Sequence, residues 1–336
     1  MSQTSQEYIT GESDPTYQNS PPVLSLERLL EYYHVFPEGL NLEKMAEYGM
    51  STDGIRRRVT SGILPEKPRS QIYPPHYPWL NEIFEHLKTI SPNLLGTSIQ
   101  HFKFIREWEC LLLNLQLRWK LGQILSDQRL EETSINSHLS DLSFLDQPIE
   151  TTCLKLQFLH EGSTSTKESI RYEKALTGKK VEGLLDDLDI GIGIESFKKN
   201  VSNGLLPGAN FKSSPDSKTK VYPHYAPWTA WCVQKMISKE SEGGGVELGD
   251  IHQSKVWRSL ILLLEYKLRC QQILLACESH TQEDQFSKML FDSDSLDQYL
   301  IELMDELEAT FECSLRSVPE KMEEYLPSGI EFNIAA

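Results

Sequence analysis

Basic side chains are concentrated in two short stretches of this sequence, and they define the chemistry that it offers most clearly. Five basic residues accompany one acidic residue between positions 54 and 80, and the same ratio recurs between 196 and 228. Clustered guanidinium and ammonium groups bind phosphate oxygens, and arginine can also donate two hydrogen bonds to a guanine edge. The net charge of -16 argues against polyanion binding over the whole surface, so the distribution of charge matters more than its total.

The candidate binding residues fall into three groups. One is a run of arginines with a helical pattern, which is also the pattern of an ordinary solvated helix face. Another consists of lysines and arginines in polar loops, and the third of tyrosines that end these loops and that equally suit core packing. In chain order the candidates are Arg56, Arg57, Arg58, Lys67, Arg69, Tyr73, Lys198, Lys199, Lys212, Lys218, Lys220 and Tyr222.

Both stretches belong to an internal repeat, which is the first feature to seek in a sequence of this length. GIRRRVTSGILP, from Gly54, aligns with SFKKNVSNGLLP, from Ser196, at an offset of 142 residues. Seven more residues in the second copy raise the offset to 149, which then holds from Tyr73 and Tyr222 to the ends of two long apolar segments. We interpret this register as two copies of one module, over 40–126 and 182–276.

Each module has the pattern of two short helices, a loop ending in a tyrosine, and a long helix. In the first copy Leu42, Met45 and Ala46 form an apolar stripe, Gly49 suits a helix end, and Ser51 or Thr52 suits the next N-cap. Ile55 and Val59 then face inward and the arginines outward. Prolines after Tyr73 end the strand that follows. The second copy repeats the pattern with Leu184, Gly191, Phe197 and Val201.

The module resembles the winged helix-turn-helix of MerR-type transcriptional regulators. The resemblance lies in AEYGMS followed by IRRRVTSGILP, a loop closing on tyrosine, and a long helix, and it is weaker in the second copy. It implies a basic recognition helix in the major groove of double-stranded DNA and a wing on the phosphates. Neither copy has the Gly-Tyr-Arg that the family usually carries in its wing.

The long segments have the 3,4 spacing of a coiled coil, at Ile105, Trp108, Leu112, Leu115 and Trp119 in the first copy. Trp257, Ile261, Leu264, Leu268 and Leu275 follow the same pattern in the second. MerR-type regulators pair two chains through such a helix. The resemblance therefore implies an intramolecular pseudo-dimer within one chain, with further homo-oligomerisation left open.

The remaining patterns favour no other chemistry. No arrangement of catalytic residues stands out, the six cysteines have no zinc-ligand spacing, and no apolar run is long enough to span a membrane. We therefore predict a protein that is not an enzyme, has no cofactor or metal, does not enter a membrane and lies in the cytoplasm. Between 281 and 324 there are thirteen acidic residues and three basic ones. This stretch includes a predicted helix in which Ser295 and Gln298 are spaced as a capping box.

The predicted fold is mainly α, with two winged helix-turn-helix modules, each followed by a long coiled-coil helix, and an acidic C-terminal helix. The predicted divisions are a disordered segment over 1–24, the first module and pairing helix over 25–126, a linker with some helix over 127–181, the second module and pairing helix over 182–280, and the acidic helix and tail over 281–336. We predict a DNA-binding transcriptional regulator, with the acidic helix available to a protein partner. The alternative is a scaffold protein that uses a regulator-like fold without sequence-specific DNA binding.

Overall fold

The protein is mainly helical, as the sequence predicted, over the residues that its computed structural model describes. These residues are 22–65, 72–90, 105–127, 142–158, 175–208, 211–212, 220–238 and 246–335. Six helices occupy the described part of the first half, in the order α1 (Leu26–Val35), α2 (Leu42–Glu47), α3 (Thr52–Ser61), α4 (His76–Ile90), α5 (Arg106–Ser126) and α6 (Asp146–Gln157). A 3₁₀ turn, Leu142–Leu145, leads directly into α6.

The second half has a similar order of helices, with additional short helices and more strand. Its helices within the described residues are α7 (Gly178–Asp187), α8 (Ile194–Ser202), α9 (Ala226–Ser238), α10 (Leu248–Gln253), α11 (Lys255–Leu275), α12 (His280–Ser287) and α13 (Ser293–Thr310). A three-stranded antiparallel sheet has the order β1 (Leu176–Thr177), β3 (Lys220–Tyr222) and β2 (Phe211–Lys212). Near the C-terminus β4 (Ser317–Pro319) pairs in parallel with β5 (Asn333–Ala335), with the 3₁₀ helix Glu320–Tyr325 between them.

The two long helices keep the register found in the sequence. α5 and α11 each contain 21 residues, and both ends of α11 lie 149 positions after the corresponding ends of α5. Tyr73 forms an isolated antiparallel bridge with Leu40, and Tyr222 pairs in the same sense with Leu176. The short strand of the second module therefore begins before residue 182, where the sequence placed the boundary.

α5 and α11 pack against each other and run antiparallel. Near one end of the pair, Lys255 Nζ donates to the carbonyl oxygen of Leu125 at 3.1 Å. Further along, the Tyr266 hydroxyl donates to Asn114 Oδ1 at 2.6 Å. From the first of these contacts to the second, the position on α5 decreases and the position on α11 increases by the same number of residues. The N-termini of the two helices therefore lie at opposite ends of the pair.

A groove between the two helices shows how closely the two copies match. Its lining residues come in pairs that are 149 positions apart, including Leu113 with Leu262, Gln116 with Glu265, and Lys120 with Arg269. Each lining residue on α5 thus has its equivalent on α11. An approximate two-fold rotation axis between the two helices, passing through the groove, relates the two sets. Glu265 accepts a hydrogen bond from the backbone nitrogen of Gly208 at 2.8 Å, so the groove faces the chain that leaves α8.

The other side of the helix pair is covered by α6 on α5 and by α13 on α11. Equivalent ion pairs fix both helices: Arg118 with Asp146 on α6, and Lys267 with Asp297 on α13. The cations are almost fully buried, and each also donates to a backbone carbonyl oxygen, at Leu142 and at Ser328. The region predicted as a linker with some helix over 127–181 thus contains α6, which packs on α5; its GSTSTKES segment lies outside the described residues.

The chain termini cover equivalent tryptophans. Trp79 on α4 donates from Nε1 to the carbonyl oxygen of Val23 at 2.8 Å, and Leu24 beside it is buried. Trp228 on α9 meets the ring of Phe332, with centroids 5.6 Å apart. Val23 and Leu24 are thus packed, although they fall in the segment predicted to be disordered; the rest of that segment, up to residue 21, lies outside the described residues.

Three details of the predicted helices are wrong. Leu42 is 43% exposed and Ala46 is also exposed, so Met45 alone of that stripe is buried. Leu275 ends α11 at 83% exposure and does not belong to the seam. The N-cap of α13 is Asp292, whose carboxylate accepts from the backbone nitrogen of Ser295 at 2.9 Å, and this excludes the predicted capping box.

Burial of His76 at the start of α4 makes stability depend on pH. The ring is inaccessible to solvent, and burial lowers its pKa from 6.5 to about 3, with the Tyr33 hydroxyl 2.9 Å from Nδ1. Below pH 6.5 the unfolded chain binds a proton that the folded chain excludes, so stability falls as the pH falls towards 3. We expect this slope to approach about 1.4 kcal/mol per pH unit.

His76→Gln should remove this component when urea unfolding is followed between pH 7 and pH 4. The exposed His34, replaced by glutamine, controls for the loss of one histidine. Equal pH slopes for the His76→Gln and His34→Gln proteins would contradict the prediction.

Candidate nucleic-acid interface

Head 1, defined as α2 and α3 (residues 42–61), presents the arginine run on a short, well-capped helix. Ser51 accepts from the backbone nitrogen of Gly54 at 3.1 Å and caps α3 at its N-terminus. Gly62 ends the helix at φ +76°, a left-handed conformation that glycine adopts without steric cost. The Arg58 carbonyl oxygen then accepts from the backbone nitrogens of Ile63 and Leu64.

Burial of Ile55 turns the opposite face of α3 outward with Arg56 and Arg57. The Arg56 side chain is 77% exposed, and its contact with Asp53 is 3.7 Å long between two exposed groups. Such a pair contributes little because water competes for both charges. Both guanidinium groups are therefore accessible to a ligand.

Arg58 is placed differently from its two neighbours. Its side chain is 22% exposed, and Nη2 lies 3.8 Å from Glu85 Oε1 on α4. Glu85 also contacts Lys88 at 2.7 Å on the same helix. Arg58 thus links α3 to α4 and offers less accessible surface to a ligand than Arg56 does.

Two tryptophans attach α3 and α8 to the long helices. Trp108 donates from Nε1 to the carbonyl oxygens of Gly62 and Ile63, at 3.1 and 3.2 Å. Trp257 donates to the carbonyl oxygen of Leu205 at 2.8 Å. The two tryptophans are equivalent in the sequence repeat, and their spacing predicted positions in the coiled-coil seam. Spacing could not show that their indole nitrogens bind the chain at the ends of α3 and α8.

The antiparallel pair places the two attachment points towards opposite ends. Trp108 and Trp257 both lie in the first turn of their helices, α5 and α11. At 1.5 Å per residue, the attachment points are separated by roughly 22 Å along the pair. The geometry therefore holds two helix pairs of the same design at a fixed separation.

Head 2, defined as α7 and α8 (residues 178–202), has the same frame and a different charge. Phe197 is buried and Lys198 and Lys199 are exposed, as in head 1, and Lys198 contacts Glu195 at 2.7 Å as the equivalent Arg56 contacts Asp53. Asp189 occupies the left-handed position, at φ +49°, that Gly49 occupies in head 1 at φ +70°. By hydrogen bonding it is Asp189, and not the predicted Gly191, that follows the first helix, because Ile190 returns to Leu185 as Met50 returns to Met45.

Tyr73 and Tyr222 are core residues in this structure. Tyr73 is 3% exposed and its ring lies 5.8 Å from that of Tyr77; Tyr222 is 7% exposed and its ring lies 5.3 Å from that of Phe197. Their burial leaves little surface for the predicted contact with DNA. Both tyrosines instead fix the base of the loop that they end.

The loop cations are described only in part. Lys212 and Lys220 are Cα partners in the register of the β2–β3 ladder. Lys67, Arg69 and Lys218 lie outside the described residues. The structure therefore brings Arg56 and Arg57 together on head 1 and Lys198 and Lys199 together on head 2.

Comparison with known proteins adds no further constraint. A scan against protein-family models found no match, and searches of curated proteins and of solved structures also found none. Within the residues that the structure describes, every helix is too short or too polar to cross a membrane.

Proposed function

We propose that this protein binds double-stranded DNA and regulates transcription in the cytoplasm as a single-chain pseudo-dimer. Each module would be a winged helix-turn-helix of MerR type, followed by a coiled-coil helix that pairs with its counterpart in the same chain. The observation that carries the proposal is the exposed Arg56 and Arg57 pair on a capped helix that Trp108 holds in place. A major groove admits such a helix, and arginine can bind both its base edges and its phosphates.

The arrangement of the two heads supports the same function. Proteins that read two half-sites need two recognition helices at a fixed separation and related by a two-fold axis. Here the antiparallel helices α5 and α11 hold two heads through equivalent tryptophans. In this proposal one chain supplies what two MerR-type chains supply together.

The salt dependence of binding to duplex DNA tests this proposal. We expect fluorescence anisotropy to show binding to a pool of labelled genomic duplexes at 50 mM salt. The affinity should fall at least tenfold by 200 mM, because phosphate contacts release counterions. The surface as a whole is acidic, with a net charge of -16, and would repel DNA. Binding at low salt would therefore require a local basic surface. Absence of binding at 50 mM salt would rule the proposal out.

A second candidate, a protein scaffold, is favoured by the acidic character of head 2 and of α13. Head 2 carries four lysines and five acidic residues, and α13 has three half-exposed glutamates and three aspartates. A protein partner with a basic surface would suit these elements. Recovery of one stoichiometric partner that survives nuclease treatment, with no affinity for any duplex, would favour the scaffold.

A further inference from the structure

We infer that the DNA target is asymmetric: head 1 reads base pairs in one half-site, whereas head 2 holds only the phosphate backbone of the other. This inference rests on the proposed function and concerns how that function is divided between the heads. It arises from a nearly symmetric frame that carries two different binding faces.

The frame by itself would favour a palindromic target. α5 and α11 agree in length and register, and their tryptophans hold α3 and α8 in the same way. When two equal heads are related by a two-fold axis, the half-sites that they bind are equal too. Any asymmetry in the target must therefore come from the side chains on the heads.

The exposed faces of α3 and α8 differ in the type of cation. Arg56 and Arg57 of head 1 correspond to Lys198 and Lys199 of head 2. The planar guanidinium of arginine matches the two acceptors of guanine in a fixed geometry, whereas the ammonium of lysine is a compact point charge that reads a base edge less specifically. Head 1 is therefore equipped for base recognition and head 2 for phosphate contact.

The next position strengthens the difference. Arg58 of head 1 corresponds to Asn200, which is 7% exposed and lies inside head 2. Lys198 in turn has Glu195 at 2.7 Å, and hydrogen bonding to this carboxylate raises the pKa of Lys198. The outer faces of α3 and α8 thus carry equal numbers of exposed cations, but head 2 has five acidic residues where head 1 has three.

The C-terminal segment adds further negative charge to head 2. The 3₁₀ helix Glu320–Tyr325 packs against α9, and His224 lies 3.2 Å from the carbonyl oxygen of Leu326. α9 in turn packs against α7, and the pKa of Tyr325 is raised by burial and by the carboxylates of Glu324 and Asp187. Glu323 and Glu324 are exposed there. These carboxylates repel a polyanion and restrict the contacts of head 2 to those made by its lysines.

Selection of bound duplexes from a randomised library tests the inference with variants that keep the charge. For the unaltered protein we expect one specified half-site next to sequence without preference. Arg56→Lys with Arg57→Lys should lower the affinity for the selected duplex on the order of tenfold or more. The same variant should bind random duplexes within about twofold of the unaltered protein, because the number of phosphate contacts is preserved.

Lys198→Ala with Lys199→Ala is the matched variant of head 2. It should lower the affinity for selected and random duplexes by the same factor and leave the selected motif unchanged. All four side chains are exposed, so circular dichroism and thermal unfolding should match those of the unaltered protein.

A palindromic motif with two equally specified halves would overturn the inference, as would a change of motif in the lysine variant. Both results require DNA binding and so leave the proposed function intact. Failure of the unaltered protein to bind any duplex at low salt is a different result, which removes the proposed function and this inference with it.

Discussion

Replacing Arg56 and Arg57 together by alanine is expected to lower the affinity for duplex DNA on the order of a hundredfold at 50 mM salt. Removal of a base-contacting arginine costs about 1–3 kcal/mol, and each tenfold in affinity corresponds to about 1.4 kcal/mol. The expected loss follows from the exposure of both side chains on α3, opposite the buried Ile55. Fluorescence anisotropy with a duplex selected for binding measures it directly.

A control for charge is necessary because the protein is strongly acidic. Lys155 on α6 and Lys288 after α12 are exposed, and their replacement by alanine changes the net charge by the same amount. This control should alter the affinity by less than about threefold, since neither lysine is on a head and screening limits their long-range effect. Equal losses in the two variants would mean that net charge, and not the α3 surface, governs binding.

Arg58→Ala should behave differently from the variants of its neighbours. Its side chain is mostly buried near Glu85, so the main effect falls on the attachment of α3 to α4. The sequence grouped the three arginines because they are adjacent. Their roles separate only when the burial of Ile55 fixes which face of the helix is outward.

The local structure of head 1 could be predicted because its signals are local. A serine before the helix and a glycine after it are sufficient to place the two ends of α3, and the structure has Ser51 and Gly62 in these roles. In head 2, Asp189 adopts the conformation that favours glycine. A glycine marks a helix end in a sequence, whereas an aspartate in the same conformation does not. Gly191 was therefore predicted at the position that Asp189 occupies.

Some helix was predicted over 127–181, but neither the bounds of α6 nor its packing on α5 could be, because tertiary contacts stabilise it. Its sequence follows a polar region, and the helix depends on Asp146 meeting Arg118 and on burial of Ile149 and Cys153 against neighbouring helices. One signal was present: Arg118 corresponds to Lys267 in the repeat. Two equivalent buried cations each require an acidic partner, and in the structure Asp146 and Asp297 are these partners.

Tyr266→Phe is expected to destabilise the protein by about 2–4 kcal/mol in urea unfolding. The Tyr266 hydroxyl donates to Asn114 Oδ1 at 2.6 Å and accepts from the backbone nitrogen of Phe291 at 2.9 Å. Asn114 also donates to the carbonyl oxygen of Met289 at 2.8 Å, and its side chain is inaccessible to solvent. Loss of one hydroxyl leaves an acceptor and a donor buried without this partner, and each costs about 1–3 kcal/mol.

The repeat supplies the comparison that makes this prediction specific. The positions equivalent to Asn114 and Tyr266 are Leu263 and Leu117, which are buried and apolar. A double variant, Asn114→Leu with Tyr266→Phe, makes this part of the interface apolar as well. Its loss of unfolding free energy should be smaller than the sum of the losses in the two single variants. In the double variant, neither position has a polar group that has lost its partner at the other position. Tyr48→Phe, at an exposed tyrosine, should change stability by less than about 0.5 kcal/mol.

The same network has a consequence for the distance between the heads. It connects α5, α11 and the Met289–Phe291 segment at a point between the two tryptophan attachments. Loosening this connection in Tyr266→Phe should increase hydrogen exchange in α5 and α11 before it affects α3, whose caps are local. Exchange that rises first in α3 would contradict this order. Because the heads depend on the helix pair for their separation, the variant should then gain less affinity from a duplex long enough to reach both heads, whereas the contacts proposed for Arg56 and Arg57 within one half-site should be unchanged.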